Sequence, residues 1–227
     1  MPVAKRRFST TASLLAVEAQ LEARDVSRTI DDQILLAPTS LTVIPGQCVA
    51  VLGQNGAGKT TLLRVLAGKQ RPSEGTVMLG GRVVDERDAV IRRSIGSLIG
   101  IPSFYPDLTI REHLLLINAT WGVPVPESQI AVDRALDRFG ITNLRERFAH
   151  ELSSGQTQMF YLASTFIRPC TVLILDEPEQ RLDPGRKDQL VEAVRDVQSR
   201  GAAIVFTSHD PMLVERLADT TVDLGSA

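Results

Sequence analysis

The stretch "QCVAVLGQNGAGKTTLLRVLAG", residues 47–68, constrains the fold more than any other. Its first six residues are an almost continuous apolar run bounded by glycine, the composition of a parallel strand covered on both faces. Gly53-Gln54-Asn55-Gly56-Ala57-Gly58-Lys59-Thr60 then fits G-x-x-x-x-G-K-[ST], and Thr61 leads into a run with helical spacing of Leu62, Leu63, Val65 and Leu66. Glycines at such a turn let backbone N–H groups wrap phosphates, the Lys59 ammonium supplies a point charge to the outer phosphate oxygens, and the Thr60 hydroxyl suits Mg²⁺. A strand, a phosphate-binding loop and a helix in that order predict an α/β body on a mostly parallel sheet.

Two later segments repeat the apolar-strand texture. "TVLILDEP" ends in Asp176 and Glu177, and "AAIVFTSHD" ends near His209. Ligands in open α/β sheets bind outside the carboxyl ends of the strands, where these side chains would stand. The other two histidines, His113 on a helical pattern and His150 in a polar stretch, have no such setting and read as ordinary surface or packing residues. "LSSGQTQMF", residues 152–160, reads as the start of a helix. Such a tip carries free N–H groups and the positive end of a dipole, so the chain contains a second anion-binding feature about a hundred residues after the first.

The remaining chain fits around this frame. Alternation over Leu15–Ala23 and again over Thr39–Ile44, closed by Pro45-Gly46, predicts antiparallel strands with one wet face. Short strands follow near Thr76–Val84 and Ile95–Ile99. Residues from about 109 to 168 lose the strand pattern and read as helices, an insertion within the α/β body. A helix carrying Leu190, Val191, Val194 and Val197 and a short one after Pro211 complete the reading. Residues 1–14, with a basic cluster at Lys5-Arg6-Arg7, read as a flexible tail rather than a leader, since Glu18 and the alternating strand soon follow. With 25 Lys plus Arg against 27 Asp plus Glu, net charge is −2, which disfavours nucleic acid as a partner. No uncharged stretch is long enough to span a bilayer. The two cysteines head buried strands and read as reduced thiols, without a metal site.

Taken in order, the phosphate loop, the helical insertion, "LSSGQ", "LILDEP", "RLDPGR" and "TSHD" resemble the ATP-binding-cassette ATPases, specifically the separate nucleotide-binding subunit of a transporter, over about residues 15–225. The resemblance implies a P-loop NTPase core with an antiparallel β subdomain and a helical insertion, as a single nucleotide-binding domain over residues 15–227. It implies a subunit that binds ATP and Mg²⁺, hydrolyses ATP, and powers a membrane transporter through ATP-driven dimerisation. Gly53, Gln54, Asn55, Gly56, Ala57, Gly58, Lys59, Thr60 and Thr61 would hold the nucleotide. Thr60 and Asp176 would hold Mg²⁺, the latter through water. Glu177 would polarise the attacking water, while Lys59 and His209 would act on the γ-phosphate. Two subunits, identical or different, would pack head to tail, so that Ser153, Gly155 and Gln156 of one copy face the γ-phosphate held by Lys59 of the other. The family's sheet order would place the strand ending near His209 between those ending at Gly53 and Asp176, separating Cys48 from Cys170. The other partner would be an integral membrane permease, met around Gly100–Asp107 and the following helices, where Ile101, Phe104 and Tyr105 would either meet it or pack the helical insertion, and the subunit would be cytoplasmic, peripheral on the inner face of the membrane.

Four positions depart from the family pattern. Ile30 stands where an aromatic residue usually stacks on adenine, which implies weak selectivity for that base. Gly100 replaces a glutamine that touches Mg²⁺, Ser154 replaces a glycine in the helix-tip motif, and Arg181 replaces a small residue. The core residues remain, so the expectation is a slow but real ATPase, of the exporter-like kind. The alternatives are a soluble ABC ATPase without a transport role and a regulatory nucleotide-binding subunit with little hydrolysis.

Overall fold

A computed structural model describes residues 20–225. The tail expected over residues 1–14 and the beginning of the strand expected from Leu15 lie outside the described residues. The first layer is antiparallel: β1 (Leu21–Ile30), β2 (Gln33–Val43), and later β4 (Glu74–Leu79) and β5 (Arg82–Val83), in the order β2-β1-β4-β5. Asp31 and Asp32 both take left-handed backbone (φ 46° and 62°), the conformation of the tight turn that matches strand twist, and so join β1 to β2 as a hairpin. Both strands run well beyond the segments marked by alternation. Polar Arg24, Asp25, Ser27 and Arg28, together with shifts of register, hide the period of the second half of β1.

The second layer is parallel. β3 (Cys48–Leu52), β6 (Ile95–Leu98), β7 (Val172–Asp176), β8 (Ala203–Thr207) and β9 (Thr220–Asp223) lie in the order β6-β7-β8-β3-β9. The strand leading to His209 thus separates those leading to Gly53 and Asp176, and Cys48 and Cys170 are both free thiols. Alternate residues of each central strand enter opposite cores, as the pleat requires. Cys48, Ala50, Leu173, Leu175, Ile204 and Phe206 face a helical core; Val49, Val51, Val172, Ile174, Ala203 and Val205 face the antiparallel layer. Burial on both faces is why these strands read as unbroken apolar runs.

Helix α1 (Lys59–Leu66) packs Leu62, Leu63, Val65 and Leu66 into the core shared with the antiparallel layer. A six-residue helix, α2 (Ala89–Ser94), follows, too short to have shown a period. The insertion is helical as expected, with α3 (Ile110–Thr120), α4 (Val125–Arg138), two 3₁₀ turns and α5 (Ser154–Phe166). α6 (Pro184–Ser199) and α7 (Pro211–Leu217) complete the helical face. Arg168, just after α5, ties the insertion to the sheet: its guanidinium lies 4.1 Å from the Trp121 ring centre and donates to the carbonyls of Arg92 and Ile95 at 2.6 and 2.7 Å. Edge strand β9, with Thr220, Thr221 and Asp223 exposed, carried no apolar signal.

Candidate functional site

The site forms where β3, β7 and β8 end together. Gly58 precedes α1 with left-handed backbone (φ 93°), and no side chain caps the first turn of the helix. The donors of that turn therefore stay available to an anion, which the dipole also favours. A side chain at Gly58 is excluded by space as well as by backbone, since a Cβ would stand 2.6 Å from the Leu35 carbonyl oxygen. Lys59 is buried, and its Nζ donates to the carbonyls of Gly53 and Gln54 at 2.7 and 3.0 Å, which holds the ammonium across the loop.

β7 pairs with β8 so that Asp176 lies opposite Thr207. Thr207 Oγ1 donates to Asp176 Oδ1 at 2.7 Å and accepts the Glu177 N–H at 2.9 Å, while Thr60 Oγ1 donates to Asp176 Oδ2 at 2.8 Å. Glu177 itself is left-handed (φ 47°), a conformation that costs a residue with a side chain on the order of 1–3 kcal/mol. The turn directs its carboxylate sideways: Oε1 lies 3.0 Å from His209 Nε2, and Oε2 accepts from the Gln180 amide. Beyond His209, Lys187 and Asp210 are joined at 2.7 Å. That hydrogen bond holds the Asp210 carboxyl below the usual carboxylate range and raises Lys187.

The Thr60 hydroxyl and Asp176 carboxylate are hard oxygen donors beside the phosphate loop, and they suit Mg²⁺. Among the described residues no group of three or more His, Cys, Asp and Glu could hold a metal. Donors so few fit an ion that arrives with a phosphate and keeps its waters.

The second anion feature is self-capped. Ser153 Oγ accepts the Gln156 N–H at 3.4 Å, and Gln156 Oε1 accepts the Ser153 N–H at 2.9 Å, a reciprocal box at the start of α5. Ser153 and Ser154 are exposed, whereas Gly155 is buried, with a virtual Cβ 2.4 Å from the Arg186 guanidinium and 3.0 Å from the Arg181 carbonyl. Arg181 is exposed and left-handed (φ 63°). Ile30 ends β1 half-exposed; a cleft of about 530 Å³ beside Gln54–Ala57 is walled by residues 34–40 and 222–225 and does not include it.

The loop after β6 divides its apolar residues. Phe104 stacks on Phe160 and Tyr161 at 4.6 and 5.2 Å, while Ile101 and Tyr105 are 79% and 64% exposed. Gly100 is left-handed (φ 71°) and a Cβ there would meet open space. His113 is a packing residue, the second of the two readings: it is buried, its Nε2 accepts the Tyr105 N–H at 2.9 Å, and its Nδ1 lies 3.0 Å from the Thr109 carbonyl. Nδ1 therefore carries the proton. Sequence reasoning also passed over Thr207, Glu179 and Gln180. The first was available from the sheet order, because it is the residue across from Asp176; the other two have no signal until the turn at Glu177 is known.

Residues 36–180 match the family model described as ABC transporter. The Nod factor export ATP-binding protein I of Burkholderia lata is 33% identical over 201 residues, covering 88% of this chain and 66% of that protein. The Rhizobium etli protein of the same name is 30% identical over 219 residues, covering 96% and 68%. The chain thus spans about two thirds of the length of these relatives. A solved structure of an ATP-binding subunit of an ABC transporter superposes with a TM-score of 0.82 at 28% identity, covering 89% of this chain and 85% of that one.

Proposed function

The chain belongs to the ABC transporter family of ATP-binding subunits, which hydrolyse ATP, and on that footing we propose that it binds and hydrolyses ATP to drive an export permease. The observation that carries this reading is the single hydrogen-bonded cluster in which Thr60, Asp176, Thr207, Glu177 and His209 meet beside the phosphate loop. Lys59 exchanges the carbonyls of Gly53 and Gln54 for phosphate oxygens. The first turn of α1 donates to the same phosphates, with Gly53 to Thr61 wrapped around them. Thr60 and Asp176 would hold Mg²⁺, which would supply charge neutralisation at those oxygens. Glu177 orients the attacking water, and His209, which already touches Glu177, turns to the γ-phosphate. Catalysis of this kind is positioning and charge stabilisation, so Lys59→Ala is expected to lower turnover about a hundredfold or more. Turnover equal in the two proteins would overturn the reading.

Ser153, Gly155 and Gln156 serve a second subunit, identical or different, in this proposal. The exposure of Ser153 and Ser154 at that tip supports it: the box between Ser153 and Gln156 opens to give its donors to the nucleotide of the facing copy. Glu177→Gln, measured by light scattering, is expected to form an ATP-dependent dimer, and a monomer at saturating Mg-ATP would count against the shared site. Exposed Ile101 and Tyr105 form the surface for the permease. Among the described residues no helix is long and apolar enough to cross a membrane. In this proposal membrane attachment runs through that partner, on the cytoplasmic side. The domain is proposed as one unit over residues 15–227.

A second reading, a regulatory subunit with little hydrolysis, draws on Glu177, both of whose carboxylate oxygens are already engaged, and on Gly100, which offers no side chain to Mg²⁺. Single-turnover hydrolysis separates it from the first.

A further inference from the structure

We propose that Glu179 is the positioning residue for His209: it fixes the peptide that carries the imidazole, and so the direction in which the imidazole can act. The proposal rests on the reading of this site as an ATPase centre.

Glu179 lies two residues after Glu177 and is only 7% exposed. Its Oε1 accepts from the Ser208 hydroxyl and from the His209 N–H, the latter at 3.2 Å. The same hydroxyl accepts the Asp210 N–H at 2.9 Å. One carboxylate oxygen thus organises all three residues of the turn between β8 and α7. The other oxygen, Oε2, is fully buried and has no hydrogen-bond partner.

A buried carboxylate with an unpaired oxygen is a poor device for stability, because an apolar side chain of similar volume would fill the space without the desolvation cost. Position explains it better. The His209 ring is half-exposed and touches the protein through Glu177, so its own side chain is weakly held. What holds it is its backbone, and Glu179 bonds that backbone directly. Lys187, paired with Asp210 at 2.7 Å, closes the turn from the far side. The loop that carries Glu177 therefore also sets His209, and the two groups move as one unit. A shift of about 1 Å at a reacting group is enough to cost on the order of a hundredfold in rate.

The test compares the wild type with Glu179→Gln, Glu179→Met, His209→Ala and the double variant Glu179→Met/His209→Ala. Methionine conserves volume, and glutamine keeps an acceptor oxygen. Two quantities are read: Mg-ATP turnover, and hydrogen exchange of the His209 amide in nucleotide-free protein. Glu179→Met is expected to lower kcat about tenfold or more with KM within about twofold, while Glu179→Gln stays within about threefold of wild type. On the His209→Ala background the Met substitution is expected to have no further effect, because its route of action is gone. The His209 amide is expected to exchange about tenfold faster in Glu179→Met and at the wild-type rate in Glu179→Gln. Ser208→Ala, which removes one of the two donors, moves both readings in the same direction. An unchanged kcat in Glu179→Met, a further loss on the His209→Ala background, or unchanged amide exchange each overturns the proposal. If wild-type turnover equals that of Lys59→Ala, the ATPase reading fails instead, and the amide exchange still judges whether Glu179 holds the His209 peptide.

Discussion

Thr207 joins the two acids of the site to the sheet. It is fully buried, and its hydroxyl serves Asp176 and the Glu177 N–H together. Thr207→Val keeps shape but strips Asp176 of a donor, so we expect a stability loss of about 1–3 kcal/mol in urea unfolding. A loss within experimental error would mean that the hydroxyl is not a structural tie. Cys48 gives a test on the pH axis. Burial, with a smaller contribution from the Asp219 charge, pushes its thiol up to about 12. The unfolded thiol ionises near about 8.5, so the stabilisation is complete below that pH and is lost as pH rises towards about 12, by up to about 1.4 kcal/mol per unit. Cys48→Ala is expected to flatten the alkaline fall in unfolding free energy, and a curve parallel to wild type would refute this. Ile30, without an aromatic face, is expected to give similar turnover of ATP and GTP; a strong preference for ATP would show that the base is read elsewhere. At this scale the phosphate loop, Asp176, Glu177 and His209 could be read from the chain because each ends an apolar run. Glu179 and Gln180 could not, since their partners are chosen by a left-handed turn at Glu177 that no residue type announces.

Among elements, the antiparallel layer was the hardest to read. Its hairpin turns on Asp31-Asp32 rather than on the Asn-Gly or Asp-Gly pair that marks such turns, and the bulged half of β1 mixes polar residues into both faces. Gly75 shows how tightly that layer closes: it is left-handed (φ 80°), and a Cβ would lie 2.3 Å from the Asp25 carbonyl oxygen. Gly75→Ala is therefore expected to cost at least about 2 kcal/mol, by strain and by parting β1 from β4. In the insertion, His113 binds the loop after β6 to α3. His113→Phe keeps a flat ring against Phe104 and Phe160 but loses both hydrogen bonds. We expect faster exchange of the Tyr105 amide and loss of permease-stimulated turnover, with basal turnover within about twofold of wild type. The helices of the insertion were readable because each shows a 3.6-residue period. The holding of the loop was not, because a buried histidine and a surface one look alike in a helical pattern.

In the whole molecule, the parallel sheet brings the phosphate loop, the acids and the histidine to one edge, though they are far apart in sequence. β3 pairs with β8 and β9, so Cys48 meets Ile204 and Val49 meets Thr220. Loop-closure entropy must be met before such contacts form, which makes them slow. The order in which a ribosome delivers the chain gives this topology a further consequence. The phosphate loop leaves the exit tunnel well before β8 and β9, the strands on either side of β3, so the nascent chain has its lysine turn long before it has a floor to hold it. Nucleotide capture and completion of the core are thus expected to coincide once β8 and β9 have been made, and a chain interrupted before β8 would expose the bare edge of β3 to chaperones rather than to nucleotide.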